Sequence, residues 1–252
     1  MRVRTFLIAL GLSLVGGLGG LLLASGVLLV KDSTRARLVP WLVSYAVGAL
    51  LGVSMLRLLP TSLEALAPQF GGDASSRVFA VLLLGILLFF VLEKLVLWRH
   101  CHTHDCEVHE GTVFPIVIGD AFHNFVDGAV IAAAVITSVP LGVTTAVAVA
   151  AHEIPQEVGD FAILLHHGYS RSRALLLNVL SATASALGAV AAFVAFDIVP
   201  RTLPYFLALA AASFLYVAMA DLIPGLHRGR TDAGSMRQIL LIAAGVATML
   251  VI

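Results

Sequence analysis

The stretch Gly119-Asp-Ala-Phe-His-Asn-Phe-Val-Asp-Gly128 sets polar side chains inside an apolar segment, and the next apolar segment contains Ala151-His-Glu-Ile-Pro-Gln-Glu-Val-Gly-Asp-Phe161. A charged side chain at bilayer depth costs roughly 2.5–3.5 kcal/mol. Five carboxylates there cost on the order of 10 kcal/mol unless something satisfies them. A bound cation, with water and hydrogen-bonding neighbours, would do so. The ionisable residues of the two stretches are Asp120, His123, Asp127, His152, Glu153, Glu157 and Asp160.

Helical spacing gathers the polar residues of the first stretch on one face. His123 and Asp127 are four residues apart, and Asn124 and Asp127 are three apart, so the three share a face. Asp120 lies one turn earlier on that face. The spacing therefore predicts a row of imidazole, amide and carboxylate groups along one side of a helix.

The second stretch has two such pairs side by side. His152 and Gln156 are four residues apart, and Glu153 and Glu157 form the adjacent pair. Pro155 has no N–H and predicts a kink in this helix. Irregular backbone at membrane depth is tolerated where it lines a cavity or packs against protein. Two polar faces and a kink at similar depth predict a metal site along a path through the membrane.

Composition places the chain in a bilayer. It has 252 residues, of which 60% are hydrophobic and 12% charged, against about 25% charged in soluble domains. The net charge is zero, so no basic surface points to nucleic acid. We predict an all-α integral membrane protein, in contact with the lipid bilayer, as a single domain over residues 1–252.

Eight apolar segments are long enough to be membrane spans, each of which needs about 20 residues. A loop rich in Pro, Gly and Ser is expected at residues 61–77. The predicted spans cover about residues 5–30, 38–59, 78–98, 113–138, 143–165, 174–196, 205–223 and 238–252.

Lys and Arg counts predict the orientation. The loops after the odd-numbered spans hold ten of them, and the opposite side holds four. We therefore expect the odd-numbered loops in the cytoplasm, both termini outside, and residence in the plasma (inner) membrane.

One predicted cytoplasmic loop, residues 99–110, is dense in metal-binding side chains. Its spacing does not match a closed zinc finger, so it is either a flexible metal collector or a solvated polar loop. Its candidate ligands are His100, Cys101, His102, His104, Cys106 and His109.

The paired motifs HNxxDG and HExPxExGDF, at His123 and His152, resemble those of the ZIP (Zrt/Irt-like protein) family of divalent metal transporters. The resemblance is greatest to the subgroup whose fifth span reads HExPHExGD. It extends to Ala220-Asp-Leu-Ile-Pro224 in the seventh span. It implies an eight-helix bundle, uptake of metal toward the cytoplasm, alternating access by one helix group sliding against another, and a homodimer.

The resemblance also implies roles for residues. His123, Asp127, His152 and Gln156 would form the primary metal site, and Asn124 and Glu153 would line a second site. Glu157 and Asp160 would support the ligands or line the exit path, and we place Asp120 with them.

Four positions depart from the family pattern. One is Gly225, where the seventh span of the family often carries Glu after Pro. Gln156 stands where the subgroup has His, and Ser185 is the nearest match to a carboxylate that many members carry in the sixth span. Arg57 replaces a common His, and its charge would repel cations near the outer mouth unless an acid such as Glu64 pairs with it.

Ligand chemistry favours zinc among divalent metals. Imidazole suits Zn, Cu, Fe and Ni, whereas Mg and Ca prefer oxygen shells. Zn²⁺ is therefore the expected substrate, with Fe²⁺, Mn²⁺ and Cd²⁺ as co-substrates.

Two alternatives compete with a metal conductor. His152-Glu-Ile-Pro-Gln156 resembles the zinc hydrolase motif HExxH, and an intramembrane zinc-dependent hydrolase is the alternative function. The second His of that motif is missing and Pro155 interrupts its helix, so we do not expect an enzyme. The polar residues could otherwise only join helices, but such roles usually fall to Ser, Thr, Asn or Gln.

Overall fold

The computed structural model describes residues 2–100, 113–227 and 233–252, and these ranges fold into helices with short connections. No β-strand occurs within them, which confirms the all-α prediction. Two π-helical segments, π1 (Ser54–Leu58) and π2 (Val217–Leu222), interrupt the helices. The helices are α1 Arg2–Leu29, α2 Asp32–Val53, α3 Leu59–Phe70, α4 Asp73–His100, α5 Val113–Thr137, α6 Val139–His166, α7 Arg171–Ala182, α8 Ala184–Ile198, α9 Leu203–Tyr216, α10 Ile223–His227 and α11 Ala233–Val251.

Six helical stretches in the described ranges are long and apolar enough to cross a membrane. They correspond to α1, α2 with α3, α4, α5, α7 with α8, and α9 with α10. The fifth predicted span is α6, a helix of 28 residues that is not among the six. It carries His152, Glu153, Gln156, Glu157 and Asp160, which lower its hydropathy. The eighth predicted span is the shorter apolar helix α11.

The structure corrects the loop predicted at residues 61–77. The chain stays helical to Phe70, only Gly71 and Gly72 separate α3 from α4, and Gly71 has a φ of 52°. Glycine tolerates this left-handed backbone because it has no Cβ. The polar residues on either side extend the helices beyond the predicted spans.

The two π segments explain how helices continue through proline. Pro60 and Pro224 each follow a π segment by two residues. A helical proline clashes with the carbonyl four residues earlier, which belongs here to Leu56 and to Ala220. Both carbonyls lie inside a π segment, where the hydrogen-bond pattern is wider than in an α-helix. In contrast, α6 continues through Pro155 as an α-helix, without a π segment.

The helices pack in two groups. In the first, α5 lies against α8, α1 lies against α6, and α7 joins them. In the second, α2 lies against α11, and α9 lies against α4 and α3. The groups meet mainly where α2 contacts α6, and also where α9 approaches α5.

Close backbone contact fixes α5 within the first group. A Cβ added at Gly128 would overlap the carbonyl group of Ser185 on α8. Only glycine permits this approach, and Gly128 directly follows Asp127. The contact therefore holds the polar face of α5 in a defined position against its neighbours.

Candidate metal centre

Four side chains from α5 and α6 converge at the centre of the first group. The potential ligand atoms of His123, Asp127, His152 and Glu153 all lie within 4.8 Å of one another. The Nε2 atom of His152 lies 3.0 Å from Asp127 Oδ2 and 3.1 Å from His123 Nε2. Glu153 Oε1 lies 3.7 Å from the Nε2 atom of His123 and 3.8 Å from that of His152. We refer to these four residues as the ligand cluster.

A backbone contact orients one imidazole of the ligand cluster. Nδ1 of His152 lies 3.1 Å from the carbonyl oxygen of Ala148, one turn earlier on α6. When Nδ1 carries the proton and donates it to this carbonyl, the lone pair of Nε2 faces the cluster. Metal-binding histidines commonly use such a contact to fix the ring and its tautomer.

The carboxylates of the ligand cluster are buried without hydrogen-bond donors. Asp127 is 1% exposed and Glu153 is 0% exposed. Neither oxygen of either side chain has a hydrogen-bond partner among the described residues. Burying such acceptors unpaired is costly, whereas a divalent cation would satisfy all four. Two imidazoles with two carboxylates form a donor set that suits zinc.

The side-chain amide of Gln156 contacts an acid outside the ligand cluster. Its Nε2 donates to Asp120 Oδ1 over 3.2 Å. Asn124 Nδ2 donates to the same oxygen over 3.1 Å. The hydroxyl of Ser181 on α7 donates to the other oxygen of Asp120. Asp120 is therefore the centre of a polar network of its own, next to the ligand cluster, and the predicted ligand role of Gln156 stays a prediction.

Two further acids continue along α6. Glu157 is fully buried, and its Oε2 accepts a 2.7 Å hydrogen bond from Asn178 Nδ2 on α7. Its Oε1 has no partner among the described residues. Asp160 is partly buried one turn further on. These acids extend the polar region from the ligand cluster toward the C-terminal end of α6.

The residues that α7 contributes are not among those predicted from the sequence. Asn178 contacts Glu157 and Ser181 contacts Asp120. Ser181 and Ser185 follow Asn178 by three and seven residues, a spacing that is typical of one polar helical face. This spacing is the signal in the sequence that could have pointed to them. Ser185 itself donates to the backbone carbonyls of Ser13 and Ala182.

Neighbouring helices close the ligand cluster. The ring of Phe214 on α9 lies 5.9 Å from the ring of His152, centroid to centroid. From α1, Gly20 lies so near Glu153 that an added Cβ would approach the Glu153 Cβ to 2.7 Å. The second helix group thus covers the imidazole side, and α1 covers the carboxylate side.

The predicted pairing of Arg57 and the predicted ligands of the loop at residues 99–110 remain to be described. Arg57 is not paired with Glu64, because its Nε and Nη2 donate to the carbonyls of Met249 and Leu250 over 2.7 and 3.0 Å. The predicted loop ligands Cys101, His102, His104, Cys106 and His109 lie outside the described residues. His100 ends α4, and its side chain also lies outside the description.

The known proteins that this chain resembles are all described as zinc transporters. A family model described as "ZIP Zinc transporter" matches residues 99–252. "Zinc transporter ZIP13" of Pongo abelii is 31% identical over 262 aligned positions, which cover 98% of this chain and 78% of the relative. "Zinc transporter ZIP4" of Homo sapiens is 43% identical over 46% of this chain, and "Zinc transporter foi" of Drosophila melanogaster is 36% identical over 58%. The aligned regions make up only 18% and 21% of these last two proteins.

Proposed function

This chain belongs to the ZIP family of zinc transporters, and on that premise we propose that it carries divalent metal ions, zinc above all, across a membrane. Helices of spanning length and family membership together make it an integral multi-pass membrane protein. The proposed transport site is the ligand cluster between α5 and α6.

One observation carries the choice of site. The four carboxylate oxygens of Asp127 and Glu153 are buried without a hydrogen bond from a described residue, and one oxygen of each lies within 4.8 Å of two imidazole nitrogens. A cation is the simplest group that satisfies all of them at once. Zn²⁺ suits this mixed nitrogen and oxygen set, and Fe²⁺, Mn²⁺ and Cd²⁺ are the proposed co-substrates.

We propose that metal leaves along α6 toward the cytoplasm. Gln156, Glu157 and Asp160 follow the ligand cluster in chain order on this helix. The loop after α6 contains Arg171 and Arg173, which the Lys and Arg counts assign to the cytoplasmic side. The network around Asp120 then receives the ion next to the ligand cluster.

The intramembrane hydrolase alternative is not favoured. The relatives that match this chain are named zinc transporters. Moreover, the position of the second His of an HExxH motif is occupied by Gln156, whose Nε2 donates to Asp120.

A flux assay tests the proposal. The purified protein is reconstituted in liposomes loaded with a zinc-sensitive dye, and Zn²⁺ is added outside. We expect influx that is lost in the His123→Ala, His152→Ala double variant. His166→Ala with His167→Ala is the matched control, because it removes two histidines at the end of α6. Zinc influx that persists in the first variant would contradict the proposed site.

Assembly and topology form a separate part of the proposal. We propose a homodimer in the plasma (inner) membrane, with both termini outside. Native mass spectrometry of the detergent-solubilised protein measures the oligomer. Labelling of single cysteines in the terminal segments of intact cells measures the side on which they lie.

A further inference from the structure

A cavity lies away from the ligand cluster, near the end of α1, the start of α2 and the junction of α6 with α7. Its volume is about 370 Å³, within the range of small-molecule sites. Apolar side chains form most of the wall, including Leu28, Phe161, Leu165 and Leu175. Two arginines, Arg35 and Arg171, belong to the same lining.

The charge of this cavity has one sign. No carboxylate belongs to the described residues that line it. Arg171 has no ion pair with any described carboxylate. Arg35 donates to Asp32 over 2.7 Å, one helical turn away, and the pair is weak because Asp32 is 90% exposed. Four of the five guanidinium donors of Arg35 remain for another acceptor. Such a lining repels a metal cation and attracts an anion.

The combination of apolar walls and two arginines specifies an amphiphile. A free anion such as phosphate would satisfy the guanidinium groups but leave the apolar surface uncovered. A neutral lipid would cover the apolar surface but leave the arginines without an anion. We propose that this cavity binds an anionic phospholipid, with its phosphate on Arg35 and Arg171 and an acyl chain against Phe161, Leu165 and Leu175. The site does not depend on which metal the protein carries.

The position of the cavity supports this ligand. The turns after α1 and α6 lie on the side that the Lys and Arg counts assign to the cytoplasm, and anionic lipids give this leaflet its negative surface potential. Basic pockets between membrane helices on this side are known to hold phospholipid headgroups. A bound lipid would also fill the gap between α1 and α7, beside the small core cluster of Phe161, Leu164 and Ala174.

Lipid titration in nanodiscs tests the proposal. The full-length protein in phosphatidylcholine discs receives increasing phosphatidylglycerol, and native mass spectrometry counts the retained lipid. We expect retention of phosphatidylglycerol over phosphatidylcholine. In the Arg35→Gln, Arg171→Gln variant we expect an affinity loss of roughly 30-fold, because each basic side chain contributes about fivefold at an anionic surface. Leu175→Trp, which fills the apolar part, should also reduce retention.

A matched control separates the cavity from general surface charge. Arg37→Gln with Arg173→Gln removes the same charge from the same two helices, two residues beyond each cavity arginine, and should retain the lipid. Equal losses in the two double variants would overturn the proposal. Displacement of the lipid by millimolar inorganic phosphate would show that the cavity is a simple anion site. Faster zinc influx with unchanged lipid retention in the cavity variant would instead assign the cavity to the metal path.

Discussion

Glu153 is the ligand-cluster residue whose role changes most between sequence and structure. Its two oxygens are buried without donors, beside both imidazoles, whereas Gln156 is engaged by Asp120. We therefore expect Glu153→Gln to weaken zinc binding by more than the 10- to 100-fold that loss of a ligand-supporting contact typically costs. Isothermal titration of Zn²⁺ into the detergent-solubilised variant measures the affinity.

Gln156→Ala is the comparison for this experiment. It removes a hydrogen bond to Asp120 but no atom of the ligand cluster, so its effect on zinc affinity should be smaller than that of Glu153→Gln. The reverse order of effects would show that Gln156 is the ligand and that the cluster geometry is not the binding geometry.

Arg57 is held by the end of a helix rather than by an acid. It donates to the backbone carbonyls of Met249 and Leu250 on α11. We expect Arg57→Met to lower the free energy of unfolding by about 2 kcal/mol, the scale of a hydrogen bond to a charged group. Thermal unfolding in detergent measures the change.

The conservative variant sharpens this prediction. Arg57→Lys keeps the charge but cannot reproduce two donors in a fixed fork, so it should recover only part of the loss. Equal stability of the Met variant and the native protein would mean that the contact with α11 contributes nothing.

At the scale of elements, α1 depends on glycine to reach the site helices. A Cβ at Gly20 would approach the Glu153 Cβ to 2.7 Å, so Gly20→Ala must displace α1 or α6. We expect a loss of about 1–3 kcal/mol from this overpacking, together with weaker zinc binding. Thermal unfolding and zinc titration measure the two effects.

The same helix offers the control. A Cβ at Gly26 meets nothing within 4 Å. Gly26→Ala should therefore be neutral or stabilising by up to about 1 kcal/mol, the difference in helix propensity. If Gly20→Ala and Gly26→Ala have the same stability and zinc affinity, the close contact of α1 with α6 does not contribute to either.

The helical class and six of the long helical stretches were predictable from the sequence, because these stretches contain apolar runs of spanning length. The exception is the segment after Pro60, where proline, glycine and serine predict a loop but the chain remains helical to Phe70. Apolarity measures membrane depth and not helicity, so a helix that extends beyond its apolar run is missed. The π segments are also invisible, since only the position of a following proline hints at them.

At the scale of the whole molecule, the sequence predicts which two helices carry the candidate site but not how their side chains are arranged. Spacing of three and four residues puts His123 with Asp127 and His152 with Gln156. It cannot show how α6 is rotated against α5, and that rotation brings Glu153 to the imidazoles and turns Gln156 toward Asp120. The partners on α7, Asn178 and Ser181, depend on packing between segments in the same way.

The proposed metal ligands all lie in one of the two helix groups. All four residues of the ligand cluster come from α5 and α6, within the first group. Phe214, which is 1% exposed on α9 of the second group, contributes only a ring beside His152. Equilibrium zinc binding should therefore survive a change at Phe214. Zinc flux should not, if transport requires the groups to shift against each other.

Phe214→Leu tests this separation with a modest change in side-chain volume. We expect unchanged zinc affinity by titration and reduced influx in liposomes, because the ring contact between Phe214 and His152 is loosened without loss of a ligand. Phe193→Leu is the matched control, since the ring of Phe193 pairs with Phe6 inside the first group, at 5.1 Å between centroids. It should leave both zinc affinity and influx near native values. A parallel fall of zinc affinity and influx in Phe214→Leu would mean that the second group helps to hold the metal. Metal binding would then not be confined to the first group.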